Sequence, residues 1–163
     1  MTPEEFHRFR DRVVTEYAAD QVRAGTWSLM EAESLSRAGL DEQLPKGPDT
    51  PGQLVLVAED DEGPIGELWL GLKHPRGVPD TAWIQDIDIT PSRRGHGLGR
   101  ALLAAAEQLI AERGISALGL NVFGDNEAAR GLYASAGYEV VTQQMRKQLL
   151  WESTFSETSG HNP

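Results

Sequence analysis

The stretch from Ala82 to Arg113 restricts the possible folds more than any other part of the chain. Ala82 to Ile89 reads as a strand. Gly95, Gly97 and Gly99 follow at alternate positions, where the backbone turns tightly. From about Gly97 to Arg113 the residues Leu98, Leu102, Leu109 and Ile110, with Ala105 and Ala106, predict a helix with one apolar face, stopped by Gly114. Ile115 to Val122 then reads as a second strand. A strand that passes through a tight turn into a helix and back to a strand requires a sheet with that helix lying across it.

The flanking sequence extends this unit. Phe6, Phe9, Val13, Tyr17 and Ala18 recur at helical spacing between Pro3 and about Val22, after Thr2 and with Glu4 and Glu5 in the first turn. A second helix is expected from Ser28 to Gly39, with Ser28 as cap and Glu31 as its capping-box partner. Leu44 to Gly52 is too rich in proline and glycine for either element. Gln53 to Glu59 and Ile65 to Leu72 predict an antiparallel hairpin across Asp60-Asp61-Glu62-Gly63-Pro64. Asn126 to Ser135 reads as a short helix and Tyr138 to Leu150 as one or two strands. The expected fold is therefore α/β, a mixed sheet with helices on its faces, formed by a single domain over residues 1–151 with a polar, disordered tail at 152–163.

Composition narrows the function. With 163 residues, 15 Lys and Arg against 25 Asp and Glu, and a net charge of -10, a nucleic-acid partner is not expected. No cysteine is present, so disulfides, thiolate metal sites and a cysteine nucleophile are excluded. His7, His74, His96 and His161 show no metal spacing, and no apolar run reaches the length of a membrane span. The expectation is a cytoplasmic protein without metal or membrane partner.

Against that acidic background, residues 92–100 contain Arg93, Arg94 and Arg100 and no acid. Successive loop amides and the positive end of a helix suit a pyrophosphate. Two familiar phosphate loops fail on spacing: Gly99 is followed by Arg100 and Ala101 instead of Lys-Ser/Thr, and Arg100 stands where a dinucleotide fingerprint needs its third glycine. Arg94-Gly95-His96-Gly97-Leu98-Gly99 does match the coenzyme motif Gln/Arg-x-x-Gly-x-Gly/Ala, and Asn126-Glu127-Ala128-Ala129-Arg130-Gly131-Leu132-Tyr133-Ala134-Ser135-Ala136-Gly137-Tyr138 matches Asn-x-x-Ala-x-x-Leu-Tyr-x-x-x-Gly-Phe/Tyr. In both blocks, in order and separated by a strand, the chain resembles the GNAT superfamily of acyl-CoA-dependent N-acetyltransferases over roughly Gln53 to Leu150.

The resemblance implies a sheet that splays between the strands ending at Ile89 and Val122. It implies that Ile87, Asp88 and Ile89 pair with the pantetheine arm of acetyl-CoA, a strand amide near Ile87 or Ile89 polarising the carbonyl. It further implies that Arg94, Gly95, His96, Gly97, Leu98, Gly99 and Arg100 hold the pyrophosphate, Asn126 contacts the arm, and Tyr133 acts as general acid toward the sulfur. The family's usual base positions correspond to Trp83, Gln85 and Asn121, none of which titrates usefully, so these are candidates for acceptor contact instead. Asp86 and Asp88 lie on the same strand, and a bulge there would re-aim one of them. Asp86 is the candidate base or anchor for a water relay. Trp69, Phe123 and Trp27 are further candidates for lining an acceptor pocket, although aromatics on strands more often pack a core.

The expected activity is transfer of an acetyl group to a primary amine of a small molecule in a ternary complex. A non-catalytic acyl-CoA-binding module and a transferase acting on protein N-termini or lysines are the alternatives, and a homodimer is compatible with all three. The short opening strand of many relatives is expected to be absent.

Overall fold

The computed structural model describes residues 1–147 and residue 149. Helix α1 (Pro3–Arg23) begins with a reciprocal capping box: the Glu5 N–H donates to Thr2 Oγ1 at 3.2 Å, and the Thr2 N–H donates to the Glu5 carboxylate at 2.6 Å. Its buried residues are Phe9, Val14 and Ala18. Val14 takes a place in the core that the sequence pattern assigned to Val13 and Tyr17.

Helix α2 (Ala32–Gln43) starts and ends later than expected. Ser28 Oγ does donate to Glu31 at 2.6 Å, but the pair closes a turn ahead of the helix. Burial decides the helix limits, because Ala32, Ser36 and Leu40 form one stripe that carries the helix through Gly39.

Strands β1 (Gln53–Asp60), β2 (Gly63–Gly71), β3 (Thr81–Ile89) and β4 (Ala117–Leu120) form one sheet in that order. The first three are antiparallel; β3 and β4 are parallel, joined through α3 (Leu98–Ala111). Helix α4 (Glu127–Ser135) follows β4. One sheet face packs Val55 and Trp69 against Phe9, Val14, Leu40 and Leu44. The other packs Leu68, Leu70, Ala82, Ile84 and Ile89 against Leu102, Leu103, Ala106 and Ile110 of α3. Leu103 is buried and Ala105 exposed, the reverse of their expected roles.

The β2–β3 register slips between Trp69, which faces Asp86, and Leu70, which faces Ile84. Gln85 is the extra residue, and the bulge resets alternation. Ala82, Ile84, Ile87 and Ile89 consequently share the α3 face, whereas Trp83, Asp86 and Asp88 share the face beneath α1. The expected strand or strands from Tyr138 to Leu150 do not form among the described residues: 138–147 pairs with no strand, so the ladder that defines a strand is missing. The expected tail at 152–163 lies outside the described residues.

Candidate active site

β3 and β4 pair only from Thr81↔Ala117 to Ile84↔Leu120. Beyond that point, among the described residues, 86–89 pairs with no strand on the β4 side, which leaves that edge of β3 open as a β3–β4 gap. The Thr90 N–H donates to the Ile65 carbonyl at 2.9 Å. Strand alternation then turns the main-chain groups of Asp88 toward β2 and those of Ile87 and Ile89 toward the gap. An extended amide-bearing arm fits such an edge as an added strand does.

The gap ends at the glycine loop. Pro91–Arg93 makes one tight 3₁₀ turn, Gly95 and Gly97 have φ of 82° and 79°, and Gly97 is the N-cap of α3. These left-handed conformations are what glycine supplies at this junction. Among the described residues, none of the backbone N–H groups from Gly95 to Gly99 donates to a protein acceptor. Unpaired amides at the positive end of a 14-residue helix fit a pyrophosphate.

The arginines contribute less free charge than their sequence suggests. Arg93 pairs with Asp60 and, at 3.4 Å, with Glu62. Arg94 donates to Asp88 at 2.8 Å and to the Ile89 carbonyl at 2.7 Å. Arg100 donates to Ser135 Oγ at 2.7 Å, tying α3 to α4. His96 and Arg100 are exposed and Leu98 half-buried, so the loop presents backbone more than side chains.

Asp86 is held from above. Arg12 of α1 donates to Asp86 at 2.5 Å, to Glu67 at 2.9 Å and to Glu16 at 2.8 Å. Burial pushes the Asp86 carboxyl above its ordinary value, with Arg12 opposing that shift. Asp88 also faces Asp86 and works in the same direction as burial. The Arg12 guanidinium is itself held more firmly protonated by Asp86 and Glu16, against its own burial.

Tyr133 lies half-buried on α4, its ring 5.7 Å from that of Tyr138. Burial, reinforced by the charge of Asp86, pushes its hydroxyl up to about 12. The Tyr133 hydroxyl is thus sensitive to the charge of Asp86. Among the described residues Tyr133 Oη has no hydrogen-bond partner. Asn126 caps α4 through Oδ1, which accepts from the Ala129 N–H at 3.1 Å, and leaves its amide NH₂ group at the surface.

A cavity of about 260 Å³ opens between the end of α1 and the β4–α4 loop, lined by Asp20, Arg23, Phe123, Asp125 and Asn126. Arg23 bridges it to Asp125 at 2.6 Å, and burial pushes the Asp20 carboxyl up. Tyr17 stacks between Trp27, 5.5 Å away edge-on, and Phe123 at 6.2 Å, which brings two of the expected aromatics to this side. Trp69 and Trp83 are buried elsewhere. Trp69 meets Phe9 at 6.1 Å and Trp83 meets His74 at 4.4 Å. Gln85 occupies the bulge, and Asn121 lies just past β4, where the strands part.

Residues 18–138 match the Acetyltransferase (GNAT) family. The chain belongs to this family. It is 33% identical over 150 residues to the uncharacterised N-acetyltransferases YycN and YdgE of Bacillus subtilis, alignments that cover 91% of this chain and 96% and 95% of theirs. The mycothiol acetyltransferase of Kocuria rhizophila is 36% identical over 93 residues, covering 56% of this chain and 31% of that protein. The solved structure of YycN superimposes with a TM-score of 0.86 at 32% identity, covering 93% of this chain and 96% of that one. PaiA N-acetyltransferase from Thermoplasma acidophilum, solved with coenzyme A, shares the GNAT fold at TM-score 0.62 and 20% identity, over 88% of this chain and 89% of that one.

Arg12, Glu16 and Glu67 escaped the sequence reading of this GNAT chain. Arg12 lies three residues after Phe9 on α1, where a cation at the border of a buried stripe signals carboxylates beneath it. Glu67, next to Leu68 in a half-buried strand, is one of them. Among the described residues, no group of His, Asp and Glu is arranged to hold a metal, and no helix is long and apolar enough to cross a membrane.

Proposed function

We propose that the protein is an acetyl-CoA-dependent N-acetyltransferase, carried by a single domain over residues 1–151, whose acceptor is a cationic primary amine of a small molecule. The observation that carries the reading is the β3–β4 gap that leads directly to the unpaired amides of Gly95 to Gly99. Those amides would hold the pyrophosphate of acetyl-CoA, and Ile87, Ile89 and Asn126 its arm. When bound, acetyl-CoA supplies an activated acyl group; the remaining requirements fall to the chain.

A primary amine with pKa near 10.4 is neutral at pH 7 about once in 2,500 molecules, a cost of about 4 to 5 kcal/mol before attack. Asp86, raised by burial, takes the amine proton directly or through water while the nitrogen–carbon bond forms and the carbon–sulfur bond breaks. Tyr133 meets the departing sulfur. Asp20 and Asp125 flank the cavity that an amine would enter, with Arg23 paired to both and one negative charge in excess, and the chain's net charge of -10 draws cations toward it.

Amine-dependent release of free thiol from acetyl-CoA, across small amines, polyamines and peptides, tests the proposal. Release with small cationic amines is the expected result; release only with peptides would move the acceptor to a protein amine. Arg12's grip on Asp86 favours one competing reading, a non-catalytic acyl-CoA-binding module. Coenzyme binding without release from any amine would establish it.

The pH profile tests the base. Because the Asp86 pKa is raised, its basic form is lost as pH falls through a value above 3.8, so kcat/KM is expected to drop there. Asp86→Asn should lower kcat/KM about a hundredfold and remove that acid limb. An unchanged limb in the variant would assign it to another group.

A further inference from the structure

Arg12 divides its guanidinium among three carboxylates. Nη2 donates to Asp86 Oδ2 at 2.5 Å, Nε to Glu67 Oε2 at 2.9 Å and Nη1 to Glu16 Oε2 at 2.8 Å. An arginine that neutralises one acid commonly does so with two parallel N–H groups, which occupy both oxygens of that acid. Asp86 receives a single contact. Among the described residues its Oδ1 accepts no hydrogen bond, and its side chain is 23% exposed. Nor is Oδ1 sealed in: among the described residues Tyr138 Oη is the buried side-chain polar atom left without a partner. Asp86 is therefore gripped by one oxygen and open at the other.

The grip is built into the fold. Arg12 lies one turn after Phe9, whose ring stands 5.6 Å from the guanidinium carbon and meets Trp69 at 6.1 Å. Trp69 in turn faces Asp86 at the β2–β3 bulge. The contact that buries α1 on the sheet thus places the guanidinium over the carboxylate. The surrounding charges make that cation necessary. Glu16 of α1 and Glu67 of β2 share Arg12 with Asp86, Asp88 stands two residues along β3, and Tyr133 of α4 is sensitive to the Asp86 charge. Arg94 of the glycine turn matches Asp88, which leaves Arg12 to serve the other three. With Arg12 removed, burial, Asp88 and Glu16 would all favour the neutral acid at Asp86.

We propose that Arg12 is a positioning residue for acetyl transfer: by holding Asp86 through Oδ2 alone, it fixes the carboxylate beneath α1 and leaves Oδ1 to receive the amine proton. The inference rests on Asp86 as the base. It gives α1 a part in the active site, and it makes a one-oxygen grip compatible with turnover where a two-oxygen pair would sequester the base.

In Arg12→Met the acid limb of kcat/KM is expected to move up by about one pH unit or more, and kcat on the plateau above it to fall about tenfold or more, with coenzyme A affinity within about twofold of wild type. The side-chain carboxyl carbon resonance of Asp86, assigned by its absence in Asp86→Asn, should titrate higher by the same amount, independently of turnover. Arg12→Lys keeps the charge without the fork, so it should return the limb to within about half a unit of wild type and recover only part of kcat. Removing Arg12 also strands Glu16 and Glu67. If Arg12→Met does not fold, Arg12→Met combined with Glu16→Gln and Glu67→Gln strands Asp86 alone and is read in its place, with the same direction expected because Arg12 acts on Asp86 more strongly than Glu16 does. A limb that Asp86→Asn removes but the Arg12 variant leaves in place, or an Asp86 resonance that titrates there as in wild type, would reduce Arg12 to a structural ion pair and leave the base standing. A limb that persists in Asp86→Asn would overturn the base itself, and the role of Arg12 with it.

Discussion

Gly97→Val is expected to abolish coenzyme A binding and leave the protein folded. Gly97 adopts φ 79°, and a Cβ added there meets no atom within 4 Å, so the first side-chain atom has room although the left-handed backbone is strained by any side chain. The folded state bears only the conformational cost of a left-handed residue, about 1 to 2 kcal/mol. On the proposed site the bound state would bear much more, because a branched side chain at the cap of α3 would crowd the loop amides that are proposed to meet the phosphate oxygens. Losing two charge-assisted hydrogen bonds costs about 3 to 6 kcal/mol, which is roughly a hundredfold to more than ten-thousandfold in affinity. Gly97→Ala, with less strain and less bulk, should fall between. Calorimetric titration with coenzyme A checks both, and affinity within about threefold of wild type in the valine variant would remove the loop from the coenzyme site.

The glycine turn into α3 was legible from its residues because its geometry is carried by backbone. Glycines at 95, 97 and 99 leave few conformations to the chain, and the helix that follows fixes where the amides point. Local patterns also located β1 to β3 and α3 to within a few residues. The charges around the loop were not legible. Arg93 finds Asp60 and Arg94 finds Asp88 only after the β1–β2 turn and the end of β3 come together, so counting three free cations overstated the local field. Asp86 shows the same limit more sharply. Alternation alone relates it to Ile87, but the bulge at Gln85 and the arrival of Arg12 from 74 residues earlier decide its environment. Among the described residues the late strands are absent for the converse reason. Tyr138 to Leu150 was expected to form one or two strands, yet a strand needs a partner, and local pattern does not supply one.

Tyr133→Phe is expected to reduce turnover about tenfold or more while coenzyme A binding stays within about twofold and stability is unchanged. The stability expectation follows from the hydroxyl, which makes no hydrogen bond among the described residues, while the ring supplies the packing against the core. The turnover expectation follows from its acidity. At about 12 the phenol stays protonated across the working pH range, so it is always a donor. That same value limits what it donates. A thiol titrates near 8.5, so full proton transfer from Tyr133 to a thiolate would be uphill by about 3.5 units, or about 5 kcal/mol. In the proposed mechanism Tyr133 would therefore act by a hydrogen bond that strengthens as charge develops on the sulfur, and would keep its proton afterwards. Such a contact is worth most in the transition state, which places the loss in kcat and not in coenzyme affinity. Two readouts distinguish this role from complete transfer. The basic limb of the wild-type profile should show no titration of Tyr133 below about pH 11, and a substrate with a more acidic thiol should recover part of the activity lost in the variant. Equal turnover by the phenylalanine variant would take Tyr133 out of the reaction and leave the departing thiolate to solvent.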